Sequence, residues 1–165
     1  MIRFETTDCP EEREQAYRLR YEVYVNEFGY PFQAEGQAIR DEMDQSAIHF
    51  LLKRGGSLIG AARANAISAL TDFRIWERYG IAKSQLRVPE SVGIASRFIL
   101  AKCSRGGPHF CRFLQDIYVW GLHHGFRSTY LDASPQLAPL YLRLGWAQCA
   151  PNYHDHALGV RIPMH

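Results

Sequence analysis

The stretch "VGIASRFILAKCSRGGPHFCRF", Val92 to Phe113, decides how this chain folds. It begins as an apolar run fit for a buried strand, passes through a basic turn with two glycines, and resumes with apolar residues at helical spacing. A glycine pair leading into a helix leaves backbone N–H groups unscreened by side chains. These groups add to the positive end of the helix dipole. Lys102, Arg105, His109 and Arg112 surround that turn with positive charge. The stretch therefore suits a ligand that carries phosphate or arrives on an acidic protein, although a Gly-Gly step also serves as a plain turn.

Working outward, the sequence places a first strand at "IRFETTD", then a helix with Asp8 as N-cap, Glu11 in the capping-box position and Pro10 in the first turn. Tyr17, Arg20, Tyr21, Tyr24 and Phe28 recur at helical spacing, and Gly29 is placed to end that helix near Phe28. "AIHFLLKRGGSLIGAARANAI" reads as two strands joined by a turn at Gly55-Gly56. The segment from Ala66 to Val92 is an insertion in which Phe73, Trp76 and Tyr79 share one helical face. After strand four the spacing predicts a helix from about Arg112 to His124, a fifth strand in "STYLDAS" and a short helix in "PQLAPLYLRLG". A closing antiparallel pair, "WAQCAPNY" with "GVRIPMH", completes the order. That order predicts a mixed α+β domain with helices on both faces of a sheet.

Composition narrows the classes. A chain of 165 residues supports one packed core, so a single domain spanning 1–165 is expected. Hydrophobic content of 47% and aromatic content of 13% describe a folded chain. A net charge of +2 is too small for a surface-wide nucleic-acid footprint, so no nucleic-acid partner is expected. No run approaches the roughly 20 apolar residues that span a bilayer, and the acidic start has no signal-like core, so a cytoplasmic protein is expected. Cys9, Cys103, Cys111 and Cys149 lack metal-site or disulfide spacing, and no metal is expected; "HDH" at His154 to His156 lacks a third ligand.

A strand followed by "PQLAPLYLRLGW" resembles the late strand, helix and tyrosine of the GNAT N-acyltransferase superfamily, with Tyr141 and Gly145 as anchors. "YRLRYEVYVNEFGY", "RDEMDQSAIHFLLKRGGSLIGAAR" and "ASRF" resemble the branch holding acyl-homoserine lactone synthases and long-chain N-acyl amino acid synthases. The ending "YHDHALGVRIPM" is similar to the latter group. The resemblance implies the GNAT fold, a mostly antiparallel twisted sheet with a splayed strand pair that receives an acyl-phosphopantetheine donor. It places the donor arm along Ser96, Phe98, Ile99 and Leu100, and the donor phosphate at Lys102, Arg105, Gly106, Gly107 and His109. The loop departs from the superfamily's usual R/Q-x-x-G-x-G/A pattern by carrying Arg105 in place of the first glycine. That favours acyl carrier protein, with one phosphate, over acyl-coenzyme A.

The same resemblance implies a charged network of Arg20, Asp41, Asp44, Arg63 and Arg97, backbone N–H groups near Phe98 and Ile99 that polarise the carbonyl, and Tyr141 as the acid protonating the thiolate. Where the branch often carries a glutamate, this chain has Gly93, Ile94 and Ala95. His49, Glu90, Asp44 or water are the candidates for base, and His49 equally suits a structural hydrogen-bonder. The implied reaction is fatty acyl transfer to the amine of a small molecule or peptide. An acetyl-coenzyme A acetyltransferase and a non-catalytic donor-binding module are the alternatives.

Overall fold

The structure is a computed structural model that describes residues 1–81 and 89–165, and of Glu90 only the backbone. Among the described residues, strands β1 (Ile2–Thr7), β2 (Ile48–Arg54), β3 (Ser57–Ala66), β4 (Val92–Leu100), β5 (Ser128–Ala133), β6 (Tyr153–Asp155) and β7 (Gly159–Met164) lie in the order β1-β2-β3-β4-β5-β7-β6. Four α-helices accompany them: α1 (Pro10–Tyr21), α2 (Phe73–Arg78), α3 (His109–His123) and α4 (Ala138–Arg143). The architecture is the expected mixed α+β, with antiparallel pairs at β1–β2, β2–β3, β5–β7 and β6–β7 and a parallel pair at β4–β5. The chain divides into two compact units, Met1–Ala64 with Arg97–Gly125, and Asn65–Ser96 with Phe126–His165.

In the first unit β2 reads as a nearly continuous apolar run because both of its faces are covered. Phe50 and Leu52 pack with Phe113 of α3, supported by Ile117 and Trp120, whereas the intervening Leu51 packs with Ala16 of α1 and Val23. Alternation along one strand thus assigns α1 and α3 to opposite faces. Gly55 and Gly56, at φ 58° and 87°, make the turn that joins β2 to β3. Gly60 permits close packing, since a Cβ there would stand 2.7 Å from the Leu100 side chain.

Several boundaries differ from the sequence reading, each for a local reason. The N-cap of α1 is Cys9, not Asp8, and it makes no side-chain cap; Thr7 accepts the Cys9 N–H at 3.0 Å instead. A π-helical stretch at Glu22–Glu27 continues α1, a change of period that apolar spacing does not report. Helix α3 begins at His109 with Pro108 as its N-cap, three residues before the expected start. The expected closing pair is split: of "WAQCAPNY" only Tyr153 belongs to β6, which pairs with β7, while Ala147 and Cys149 make backbone hydrogen bonds with His165 and Pro163 on either side of a bridge from Gln148 to Met164.

In the second unit β4 pairs with β5 from Val92–Ser128 to Ala95–Leu131, and β5 pairs with β7 from Leu131–Met164 to Ala133–Ile162. Trp76, Tyr79 and Ile81 of the insertion are buried, but Phe73 is 62% exposed, so the three aromatics do not share one buried face. Helix α2 is only six residues long and turns Phe73 outward. Residues 82–88, the rest of the expected insertion, lie outside the described residues. No described helix is long and apolar enough to cross a membrane.

Candidate functional site

The charged residues expected to cluster do so, within the first unit. Arg20 on α1 reaches both oxygens of Asp44 at 2.9 and 2.8 Å. Arg63 on β3 pairs with Asp44 at 2.9 Å and with both oxygens of Asp41. Arg97 on β4 closes the chain of contacts through Asp41 at 2.9 Å. Asp41 and Asp44 owe their positions to a capping box: the Asp41 side chain accepts from Met43 N–H, and Asp44 Oδ2 accepts from Asp41 N–H at 2.9 Å. Burial alone would raise Asp41, but its hydrogen bonds to Arg63 and the charges of Arg63 and Arg97 hold it well below the usual carboxylate range. Asp44 is likewise lowered, with Arg20 and Arg63 outweighing burial.

Arg97 combines three features. Its φ is +54°, a left-handed conformation that costs a non-glycine residue and bends β4 two residues after its last pair with β5. Its guanidinium lies over the Phe32 ring at 5.0 Å and the Tyr24 ring at 5.8 Å. Burial opposes its charge, yet Tyr24 and Asp41 raise its pKa. Beyond it, Phe98 packs edge-on to Phe110 and tilted against Phe113, with centroids 5.1 and 5.0 Å apart, while Ile99 and Leu100 are buried.

The turn expected to hold phosphate follows directly. Lys102 is exposed, Ser104 is buried, Gly106 adopts φ +76°, and α3 starts without a side-chain cap. Arg105 is exposed, yet its polar groups are engaged by neighbouring residues. Its Nε donates to the Leu100 carbonyl at 2.9 Å, it pairs with Glu27 at 2.6 Å, and its guanidinium lies over Phe28 at 5.1 Å. Gly107 and His109 complete the turn into α3, with His109 half-buried.

His49 is 1% exposed, under the edge of Tyr17, with Nε2 3.3 Å from the Asp44 carbonyl. Burial lowers its pKa and keeps the ring neutral. Those surroundings suit the structural hydrogen-bonder. The side chain of Glu90, another candidate base, lies outside the described residues. Ser96 is half-buried on β4. In the second unit Tyr141 of α4 is 6% exposed and packs edge-on to Trp146, with ring centroids 6.2 Å apart. His154 and His156 are exposed on the β6–β7 hairpin, and no metal-holding group of His, Cys, Asp or Glu occurs among the described residues.

The sequence reading missed one constellation in the second unit. Asp132 of β5 accepts from the Tyr79 hydroxyl at 2.9 Å, and Arg161 of β7 donates to the Asp132 carbonyl at 2.6 Å. Burial raises the Asp132 carboxyl above its ordinary value, despite Tyr153, Tyr79, Arg78 and Arg161, which all act to lower it. A single acid inside "STYLDAS" was the only available signal.

No protein-family model matches the chain, and no curated protein sequence does. Solved structures do match. The N-acyl amino acid synthase FeeM from uncultured soil microbes superposes with a TM-score of 0.74 at 17% identity, over 99% of this chain and 90% of that one. The acyl-homoserine lactone synthase BjaI, solved with SAM and isopentyl-CoA, gives 0.78 at 14% identity, over 93% and 74%. Escherichia coli ElaA gives 0.69 at 19% identity, over 99% and 98%. At these identities the likeness establishes the fold.

Proposed function

Taking the GNAT acyltransferase fold as premise, we propose that this chain is an N-acyltransferase. It moves a fatty acyl group from an acyl-phosphopantetheine thioester, on acyl carrier protein or coenzyme A, to the amine of an amino acid or a peptide side chain. The observation that carries the reading is the course of β4: Arg97 at φ +54° bends the strand, and a glycine turn then leads into an uncapped helix N-terminus. Uncapped N–H groups with Lys102 and His109 nearby suit a phosphate. Phe98 and Ile99 lie beyond Ala95, the last residue of β4 that pairs with β5, and an extended pantetheine arm would run along their backbone.

The chemistry needs a neutral amine, a polarised carbonyl and a protonated leaving group. The amine nitrogen attacks the thioester carbon, and the tetrahedral oxyanion takes hydrogen bonds from backbone N–H groups near Phe98 and Ile99. On collapse the C–N bond stays and the C–S bond breaks. Tyr141 gives its phenolic proton to the thiolate and regains one from the nitrogen through solvent. Tyr141→Phe keeps the ring's packing and should slow turnover by about tenfold to a thousandfold while the fold survives.

Donor length is the decisive test. Each buried methylene contributes about 0.8 kcal/mol, so a fatty-acyl enzyme needs an apolar pocket that an acetyl enzyme does not. With Phe73 exposed and the Tyr79 hydroxyl on Asp132, Trp76 and Ile81 are the buried apolar residues of the insertion that would line it, beside half-buried Ile75. Acetyl, octanoyl and hexadecanoyl thioesters on both carriers, offered in competition with a panel of amines, should give mainly long-chain amides by mass spectrometry. Trp76→Ala should shift the preferred length. Exclusive use of the acetyl donor, or no amide from any donor, overturns the reading.

A further inference from the structure

Strand β1 lies at the edge of the sheet, with β2 on one side and no strand on the other among the described residues. It pairs with β2 at every position from Ile2–Arg54 to Thr7–His49, without a bulge, a proline or a glycine. The Met1 carbonyl accepts from the Gly55 N–H at 3.2 Å and so points toward β2. Backbone groups alternate sides along an antiparallel strand, so Arg3, Glu5 and Thr7 turn theirs inward as Met1 does, while Ile2, Phe4 and Thr6 direct N–H and C=O groups outward. Among the described residues nothing bonds those outward groups. Proteins guard such an edge by shortening it, bulging it, or placing proline or charge on it. At the other edge β6 is only three residues long, whereas β1 has six, and its charges are of both signs.

Those charges are unmatched within the chain. Exposed Arg3 stands opposite Lys53, a like charge, and has no ion pair among the described residues. Lys53 is shared by Glu5 and Glu12, so two acids divide one cation, and 27% of the Glu5 side chain stays accessible. A strand with a spare cation and a spare anion two positions apart complements a second copy of itself run antiparallel. A two-fold axis keeps each residue on its own face of the sheet, so the two strands must be centred on a residue. Centring on Arg3 sets arginine against arginine, and centring on Glu5 sets glutamate against glutamate. Centring on Phe4 puts Arg3 of each copy opposite Glu5 of the other, Phe4 opposite Phe4, and Ile2 opposite Thr6. In that register the outward N–H and C=O groups of Ile2, Phe4 and Thr6 meet and bond. Arg3 and Glu5 then occupy the non-hydrogen-bonded pairs, where side chains approach most closely. Phe4 is already held by Phe50 and Phe113, with ring centroids 5.9 and 6.2 Å away, and Ile2, 40% exposed, gains cover.

We propose that β1 is a self-association edge: two copies of this chain join antiparallel along β1, centred on Phe4, with Arg3 of each copy against Glu5 of the other. This pairing stands apart from the acyl transfer and does not depend on it.

Sedimentation equilibrium of the full chain, over about a hundredfold range of concentration, should show a monomer–dimer equilibrium. Arg3→Glu sets acid against acid at both charged contacts, Glu5→Arg sets base against base, and each should weaken the dimer by about tenfold or more. Mixed in equal amounts, the two variants should associate about as tightly as the parent, because both contacts again pair opposite charges. Ile2→Pro deletes an outward N–H at the first residue of the strand, where proline leaves the β1–β2 ladder whole, and should also weaken the dimer by about tenfold. Should Glu5→Arg fail to fold on losing its pair with Lys53, Arg3→Glu and Ile2→Pro decide the matter. A parent chain that stays monomeric throughout overturns the pairing. So does a dimer unmoved by Arg3→Glu and Ile2→Pro, which joins through another face, or a mixture of the two folded charge variants that does not associate.

Discussion

Two clusters of acids and arginines lie in this molecule, one in each unit, and they are built on opposite rules. Around Asp41 and Asp44 the carboxylates are saturated: each accepts from two guanidiniums and a backbone N–H, and both are held ionised. Around Asp132 the carboxylate has phenols for partners, keeps one oxygen unpaired and has its pKa pushed up. The first arrangement fastens α1, the Asp41–Asp44 turn, β3 and β4 to one another. The second is costly to hold and gains from a bound cation. Saturation marks an acid that serves the fold, whereas an unpaired buried acid is held at a cost to it.

The largest effect that breaks this contrast is at Asp44. Asp44→Ala leaves Arg20, 1% exposed, without its carboxylate, and removing one partner of a buried pair costs about 3–5 kcal/mol. Urea unfolding should show that loss as a lower midpoint; a loss under about 1 kcal/mol would contradict a fastening role. Acid titration extends the test. Because the folded pKa of Asp41 and Asp44 lies below the unfolded value, their stabilisation is complete above about pH 4 and is lost as pH falls through their folded values. In Asp44→Ala that acid-dependent loss should shrink.

Asp132 should behave with the opposite sign and more weakly. Its folded pKa is raised, so the folded state binds the proton more tightly and stability falls as pH rises from the ordinary carboxylate value through the folded one. Asp132→Asn removes that cost. At pH 7 the variant should gain about 1 kcal/mol, a rise in Tm of about 2–4 °C, and the gain should vanish below pH 4. A protein stabilised by losing a buried acid holds that acid at a cost to its fold. A drop in Tm at pH 7 would assign Asp132 to the fold instead.

How legible each cluster was in the sequence follows from the same contrast. Arg20, Asp41, Asp44, Arg63 and Arg97 sit inside quoted motifs whose likeness to known acyltransferases carried them, and the structure brings all five together. The β2–β3 hairpin was legible because Gly55-Gly56 interrupts an apolar run at turn length. Asp132 was not, because its phenol partner Tyr79 lies 53 residues earlier, across a parallel strand pair that no local pattern encodes. The π-helical turn after α1 escaped for another reason: one changed period within six residues leaves apolar spacing intact. The bend at Arg97 escaped because a positive φ at an arginine has no compositional mark.

The smallest effect, and the sharpest use of the contrast, concerns Arg105. The sequence offered it as a phosphate ligand, yet its Nε, its charge and its planar face are engaged by Leu100, Glu27 and Phe28. By the saturation rule it belongs with the fastening residues, tying the turn after β4 to the end of the π-helical segment. Its pair with Glu27 is partly exposed, with 32% of the Arg105 side chain accessible, so Arg105→Gln should cost no more than about 1 kcal/mol. Lys102 is exposed at the same turn and has no ion pair among the described residues, so its charge is the one a donor phosphate would meet. Lys102→Gln should weaken binding of a hexadecanoyl donor severalfold at low salt and not at high salt, whereas Arg105→Gln should change it less than twofold at either. Glu27→Gln separates the remaining possibilities. If the Arg105 charge can reach the donor once released, this variant binds donor more tightly; if Arg105 only fastens, donor affinity stays level and stability alone declines. Tighter binding in Glu27→Gln, or a larger loss in Arg105→Gln than in Lys102→Gln, would show that a saturated charge can still serve a ligand, and the rule drawn from the two acid clusters would not extend to cations.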